Sequence, residues 1–123
     1  MIEVKIRSRK DEILSYEINS HALIGREAIL AGEAYDMICN SVSVLSQSAI
    51  IGLDEVLKLN VNYEISDGHL ALNLNGFSKD EIKEAQVILK TFEKSLESVI
   101  LSLDQMFGID KRKEYINLSK EEV

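Results

Sequence analysis

Cys39 is the only cysteine in this sequence, and His21 and His69 are its only histidines. A cysteine thiolate is a strong nucleophile, and a histidine beside it can take the thiol proton and later return it to a leaving amine. Asp36-Met37-Ile38-Cys39 opens a pronounced helical pattern. With Asp36 as the N-cap, accepting from the free amides of the first turn, Cys39 falls at the third helical position. A helix N-terminus favours anions, which biases a thiol there toward thiolate. The neighbouring Asp36 carboxylate opposes that bias. The competing reading of Cys39 is a small buried hydrophobe. His21 follows Ser20 at the end of a predicted strand, a place that suits a proton acceptor and equally a hydrogen-bonded strand-end residue. Ser43, one turn beyond Cys39 on the same helix face, either contacts substrate or bonds back to the preceding turn. Asp36 either caps the helix or orients His21. His69, in Ser66-Asp67-Gly68-His69, reads as a solvent-exposed turn residue. The histidines lack the HxxxH spacing of a helical metal site, and a lone cysteine forms neither a zinc cluster nor an intramolecular disulfide, so no metal and no cofactor is expected.

These residues must be held by the elements around them. Ile2, Val4 and Ile6 alternate with polar residues, as do Leu14, Tyr16 and Ile18, and the polar segment Ser8-Arg9-Lys10-Asp11 between them predicts a β-hairpin. Residues 22–35, with Gly25 and Gly32 bracketing Arg26-Glu27-Ala28-Ile29-Leu30-Ala31, read as a short helix or a mobile loop. From Asp36 a helix is predicted, with an apolar stripe of Ile38, Val42, Leu45, Ala49, Leu53 and Val56 and a second one of Met37, Val44 and Ile51. Val61, Tyr63 and Ile65, then Leu70, Leu72 and Leu74, flank Asp67-Gly68 and predict a second hairpin. Ser78 and Glu81 form a capping box for a second long helix, whose stripe runs from Ile82 through Leu89 and Leu96 to Met106 and stops at Gly108. Tyr115, Ile116 and Leu118 suit a last short strand. The pattern predicts one α+β domain over residues 1–118, β-β-α-β-β-α-β, with an antiparallel or mixed sheet and two long helices on one face. Residues 119–123 are expected to fray.

Composition narrows the function. Of 123 residues, 46% are apolar and 28% charged, a balance that suits a folded domain rather than a disordered chain. The net charge is −7, with no Lys/Arg cluster, so direct nucleic-acid binding is not expected, and a basic partner is favoured. The N-terminal residues alternate apolar and charged side chains, unlike a signal peptide. No run of about 18 apolar residues is seen, so no membrane partner is expected and a cytoplasmic location follows.

Ser20-His21-Ala22 followed by Asp36-Met37-Ile38-Cys39-Asn40-Ser41-Val42-Ser43 resembles the ribosomal-processing cysteine protease (Prp) family of bacteria. That family carries a Gly-His-Ala strand end and an Asp-Ile-Val-Cys-Ala-Ala-Val-Ser helix start. The run Ile-Gly-Leu-Asp-Glu-Val-Leu at 51–57 is also similar to its helix, and the element order matches along nearly the whole chain. The resemblance implies a small α+β homodimer that removes the N-terminal extension of large-subunit ribosomal protein twenty-seven, a basic substrate. It implies Cys39 as nucleophile and His21 as proton acceptor, with Asp36 and Ser43 in support and a mobile loop between the two catalytic residues. Backbone amides at the predicted helix start are then placed to stabilise the oxyanion. The sequence departs from the family at Ser20, in place of glycine, and at Asn40, in place of alanine. Ala34 stands where a glycine is usual, and the stretch from His21 to Cys39 is longer. The alternative reading is a non-catalytic, ribosome-associated dimeric binding module on the same scaffold, with Cys39 serving as packing.

Overall fold

The computed structural model describes the backbone of residues 1–20 and 26–123 and the side chains of 1–20 and 35–123. The elements in order are strands β1 (Ile2–Arg9) and β2 (Glu12–Ser20), helix α1 (Arg26–Ile51) continued by a π-helical turn (Gly52–Val56), strands β3 (Asn62–Ser66) and β4 (His69–Asn73), helices α2 (Lys79–Phe107) and α3 (Ile109–Tyr115), and strand β5 (Ile116–Glu122). The five strands form one mixed sheet in the order β3-β4-β2-β1-β5. Both predicted hairpins are present, and β5 runs parallel to β1 at the opposite edge from β3. This is the expected α+β architecture, with a third, short helix added.

One face of the sheet is apolar, because alternate side chains of a strand point the same way. Ile2, Val4, Ile6, Ile18, Leu70 and Leu72 are buried there. Tyr16 shows that both long helices cover this face. Its ring lies 4.4 Å from that of Phe92 on α2, and its hydroxyl donates to the Ser46 carbonyl of α1 at 3.0 Å. Burial raises the Tyr16 phenol pKa well above its ordinary value. The register of β1 against β2 slips by one residue between Arg7 and Ser8, so Leu14 has no partner in β1. Such a bulge reverses the alternation on one side of it. Ile13, not the expected Leu14, is therefore buried with Tyr16 and Ile18.

The second helix matches its pattern closely. Ser78 accepts from the Glu81 amide at 3.2 Å, and the Glu81 carboxylate accepts from the Ser78 amide at 2.9 Å. Ala85, Leu89, Phe92, Leu96 and Leu103 are buried. Buried Gln86 clamps α2 to β2, accepting from the Ile13 amide at 2.6 Å and donating to the Ile13 carbonyl at 2.9 Å. At Gly52 the two long helices approach so closely that an added Cβ would lie 2.9 Å from Ile88 Cδ1.

Two expectations are corrected. Residues 119–123 do not form a frayed tail: the parallel pairing of β5 with β1 continues to Glu122, and the Val123 amide donates to the Ser8 carbonyl at 2.8 Å. Charged side chains hide this strand in the sequence, and across the ladder they are paired. Glu121 lies 3.1 Å from Arg7 and 3.5 Å from Lys5, and Lys120 bonds Glu97. The Arg7 and Lys120 contacts hold the carboxyl pKa values of Glu121 and Glu97 below the ordinary range. Second, Asp36 is not an N-cap. The helix already runs from Arg26, so the part of the 22–35 stretch from residue 26 on is helical. Gly32 costs only about 1 kcal/mol inside a helix of otherwise favourable residues. The rest of that stretch lies outside the described residues.

Candidate active site

The correction at Asp36 changes the setting of Cys39. The thiol lies more than three turns into α1, where backbone amides are already bonded within the helix. Neither the anion preference of a helix start nor an oxyanion hole of helix-start amides is available at this position. Asp36 itself is exposed and is not among the described residues that line the cleft beside Cys39.

Cys39 is half-buried and opens into a cleft of ≈ 230 Å³ between α1, the end of β2 and the β3–β4 turn. The floor is apolar, formed by Ile2, Ile18, Val42 and Leu70. The rim is polar. Ser43 and Gln47 contribute from α1, Ser20 from β2, and Ser66 and His69 from the second hairpin. The helical period brings Cys39 and Ser43 to one face as expected. Ser46 follows, fully buried, its hydroxyl donating to the Ser43 carbonyl at 3.0 Å.

The β3–β4 turn is pinned to the strand end. The Ser20 amide donates to the Gly68 carbonyl at 2.8 Å. Gly68 has φ +70, and a Cβ there would lie 2.7 Å from the Ser20 carbonyl oxygen. Only glycine suits both conditions. This contact places His69 in the cleft wall rather than in solvent, correcting the exposed-turn reading. Its Nδ1 is 2.7 Å from Asn19 Oδ1 and its Nε2 is 3.2 Å from Glu64 Oε1. His21 lies outside the described residues.

Tyr35 was not singled out by its sequence context, though its spacing carries a signal: it precedes Cys39 by four residues, one helical turn. It is 7% exposed, and burial raises its phenol pKa above the ordinary value, with Ser20 acting against the rise and Cys39 adding to it. Its ring stands edge-on to Tyr115, 6.2 Å between centroids. Among the described residues, no group of three or more His, Cys, Asp or Glu could hold a metal ion.

Residues 35–56 are long and apolar enough, by length and composition, to cross a membrane. Polar residues such as Asn40, Ser43, Gln47 and Asp54 interrupt it, so it is not a continuous apolar run. In the fold, one side of the segment buries Tyr35, Ile38, Val42, Ala49, Ile50 and Leu53 in the core. The second stripe stays outside, with Met37 70%, Val44 57% and Ile51 51% exposed.

The sequence model of the family described as cysteine protease Prp matches residues 1–107. No curated protein sequence is significantly similar to the chain. Among solved structures, SMU.848 from Streptococcus mutans superposes with a TM-score of 0.68 at 20% identity, covering 100% of this chain and 96% of that one. The essential ribosomal processing protease Prp from Staphylococcus aureus, in complex with a substrate peptide, superposes with a TM-score of 0.69 at 20% identity, covering 98% of this chain and 100% of that one. The same protease with a covalently linked product peptide gives 0.65 at 20% identity, over 98% and 100%. At this identity the structural likeness establishes the fold.

Proposed function

Because this chain belongs to the cysteine protease Prp family, we propose that it removes the N-terminal extension of large-subunit ribosomal protein twenty-seven, with Cys39 as nucleophile and His21 as proton acceptor. The observation that carries this reading is the placement of Cys39, the one cysteine, at the mouth of a cleft with an apolar floor and a polar rim. Such a cleft suits an extended peptide, with side chains on the floor and backbone groups at the rim.

In this mechanism His21 takes the thiol proton, and the thiolate attacks the scissile carbonyl. The oxyanion meets side-chain donors on the rim, Ser43 and Gln47 being the nearest in sequence, since helix-start amides are not at hand. His21 then protonates the departing amine, and water releases the acyl-enzyme. The −7 charge suits a basic ribosomal substrate, and the proposed site of action is the cytoplasm. The exposed stripe of Met37, Val44 and Ile51 is proposed to receive a second copy of the chain. Light scattering at micromolar concentration should then give twice the chain mass, and a stable monomer would remove the dimer.

A second reading, favoured by the position of His69 in the cleft wall, gives the base role to His69. One experiment addresses both. The extended ribosomal protein is incubated with wild type, Cys39→Ser, His21→Ala and His69→Ala, and followed by intact-mass spectrometry. The expected result is removal of the extension by wild type and His69→Ala, with turnover lowered at least about a hundredfold in His21→Ala and abolished in Cys39→Ser. A folded wild type that leaves the extension in place would point to the binding module instead. Inactivity confined to His69→Ala would transfer the base role to His69.

A further inference from the structure

We infer that the free edge of β3 takes up the peptide substrate as an added strand, some residues away from the scissile bond, with apolar substrate side chains resting beside Tyr63 and Ile65. The inference rests on the reading of the Cys39 cleft as a peptide site and extends that site across the sheet.

β3 ends the sheet, and among the described residues only β4 pairs with it. Half of the backbone N–H and C=O groups of such a strand point outward without a ladder partner. Edge strands are ordinarily blunted by charge, proline or a bulge. The opposite edge follows this rule, since β5 ends in exposed Lys120, Glu121 and Glu122. β3 does not. Its register against β4 is unbroken, all of Asn62–Ser66 are exposed, and its one charge, Glu64, lies opposite Ala71 on the sheet face away from the helices. On the helix side, Tyr63 and Ile65 lie opposite buried Leu72 and Leu70, yet they are 48% and 59% exposed. The helices that bury the β4 pair leave the β3 pair open.

Two observations point to a peptide as the occupant. The patch is continuous with the cleft, because Ile65 and Ser66 line the same space as Cys39. The strand is also held at both ends. The Val61 amide donates to Asp54 Oδ1 at 2.8 Å just before the strand begins, and the bond from Ser20 to Gly68 pins the turn where it ends. A preformed template spares a ligand the cost of ordering it. Strand addition supplies backbone hydrogen bonds whatever the sequence, and alternate side chains supply specificity. The segment that fits is extended, with apolar residues two positions apart. β4 separates β3 from β2, whose Ser20 shares the cleft with Cys39. An added strand therefore lies roughly 15 Å from β2, a span of about five extended residues. The paired segment starts at about that distance from the scissile bond, on one side of it.

The test uses synthetic peptides spanning the junction between the extension and the mature ribosomal protein, each N-methylated at one backbone amide. Binding to Cys39→Ser is read by fluorescence anisotropy. In the paired segment, methylation at every second position should weaken binding roughly tenfold, and at the positions between by less than about twofold. Tyr63→Ser and Ile65→Ser should each raise Kd in the Cys39→Ser background, and KM in the active chain, roughly fivefold. Their kcat and the rate of Cys39 alkylation by iodoacetamide should stay at the wild-type values. Methylation effects without a period of two, or both serine variants binding within twofold of their parent, would overturn the proposal. So would dissociation of a dimer by these variants with peptide affinity intact, which would give the edge to a second copy. Should the serine variants fail to fold, the methylated peptides decide the matter alone. A period of two with a wild type that binds but cuts nothing would uphold this inference and remove the peptidase reading, whereas cleavage without the period would do the reverse.

Discussion

Gln86 and Cys39 both sit on long helices that cover one face of one sheet, yet their surroundings follow different rules. Along α2, the inward-facing features serve the fold, while Val87, Leu101 and Met106 lie exposed on its outer side. The capping box starts the helix, Ala85, Leu89, Phe92, Leu96 and Leu103 are buried, the Gln86 amide group clamps the Ile13 backbone, and at the far end Arg112 pairs with Asp104 at 2.7 Å beside the α2–α3 junction. Around Cys39, the features do not add up to a packing solution. A half-buried thiol opens into a cleft, apolar Met37, Val44 and Ile51 face outward, and Tyr63 and Ile65 on edge strand β3 are uncovered although they pair with buried Leu72 and Leu70. A fold concentrates such exceptions where it binds or reacts. The α2 side holds the structure, and the proposed chemistry lies on the α1 side.

This division is open to attack by mutation. The largest expected effect is on the α2 side: Leu89→Ala or Leu96→Ala should lose about 2–5 kcal/mol of stability, read from urea unfolding. Val44→Ser on the exposed α1 stripe should change the same midpoint by less than about 0.5 kcal/mol. Equal losses would dissolve the distinction.

Gly68→Ala tests the cleft next. A side chain at φ +70 costs about 1–2 kcal/mol, and the new Cβ must also push the Ser20 carbonyl away. Its kcat should fall together with the unfolding midpoint, because Ser20 is displaced. Full activity at reduced stability would detach the turn from the site.

A smaller effect concerns alkaline pH. The folded state raises the Tyr16 phenol pKa, so its contribution to stability is complete below the unfolded value near 10. That contribution is lost as the pH rises through 10 toward the folded value. Urea midpoints should therefore fall more steeply above pH 10 in wild type than in Tyr16→Phe, and parallel curves would contradict this. The smallest effect belongs to Lys120, whose pairs with Glu97 and Glu93 are half-exposed. Lys120→Ala should cost less than about 1 kcal/mol and shrink further in high salt.

The same contrast governs what the sequence disclosed. Both hairpins and α2 were legible because period, turn chemistry and capping agreed there. Leu14 misled because a one-residue bulge shifts the alternation. Residues 120–122 misled because charges that read as a tail are paired across β5 with β1 and α2. Asp36 misled because a good local cap residue need not start a helix when the preceding residues continue it. At the site, Cys39 and Ser43 came to one cleft from helical spacing alone, while Asp36 did not join them and His21 lies outside the described residues. His69 was hidden because a hairpin turn reads as exposed until its contact with Ser20 is known. Tyr35 was hidden because a tyrosine four residues before a cysteine usually signals packing.

The most direct test of the central claim, that Cys39 is the nucleophile of a peptidase, is covalent labelling by a chloromethyl ketone carrying the last residues of the ribosomal protein's extension. The account predicts one equivalent bound, mapped to Cys39 by peptide mass, with cleavage lost in proportion and protected by excess substrate. Labelling at another residue, or cleavage that survives complete modification of Cys39, would contradict it.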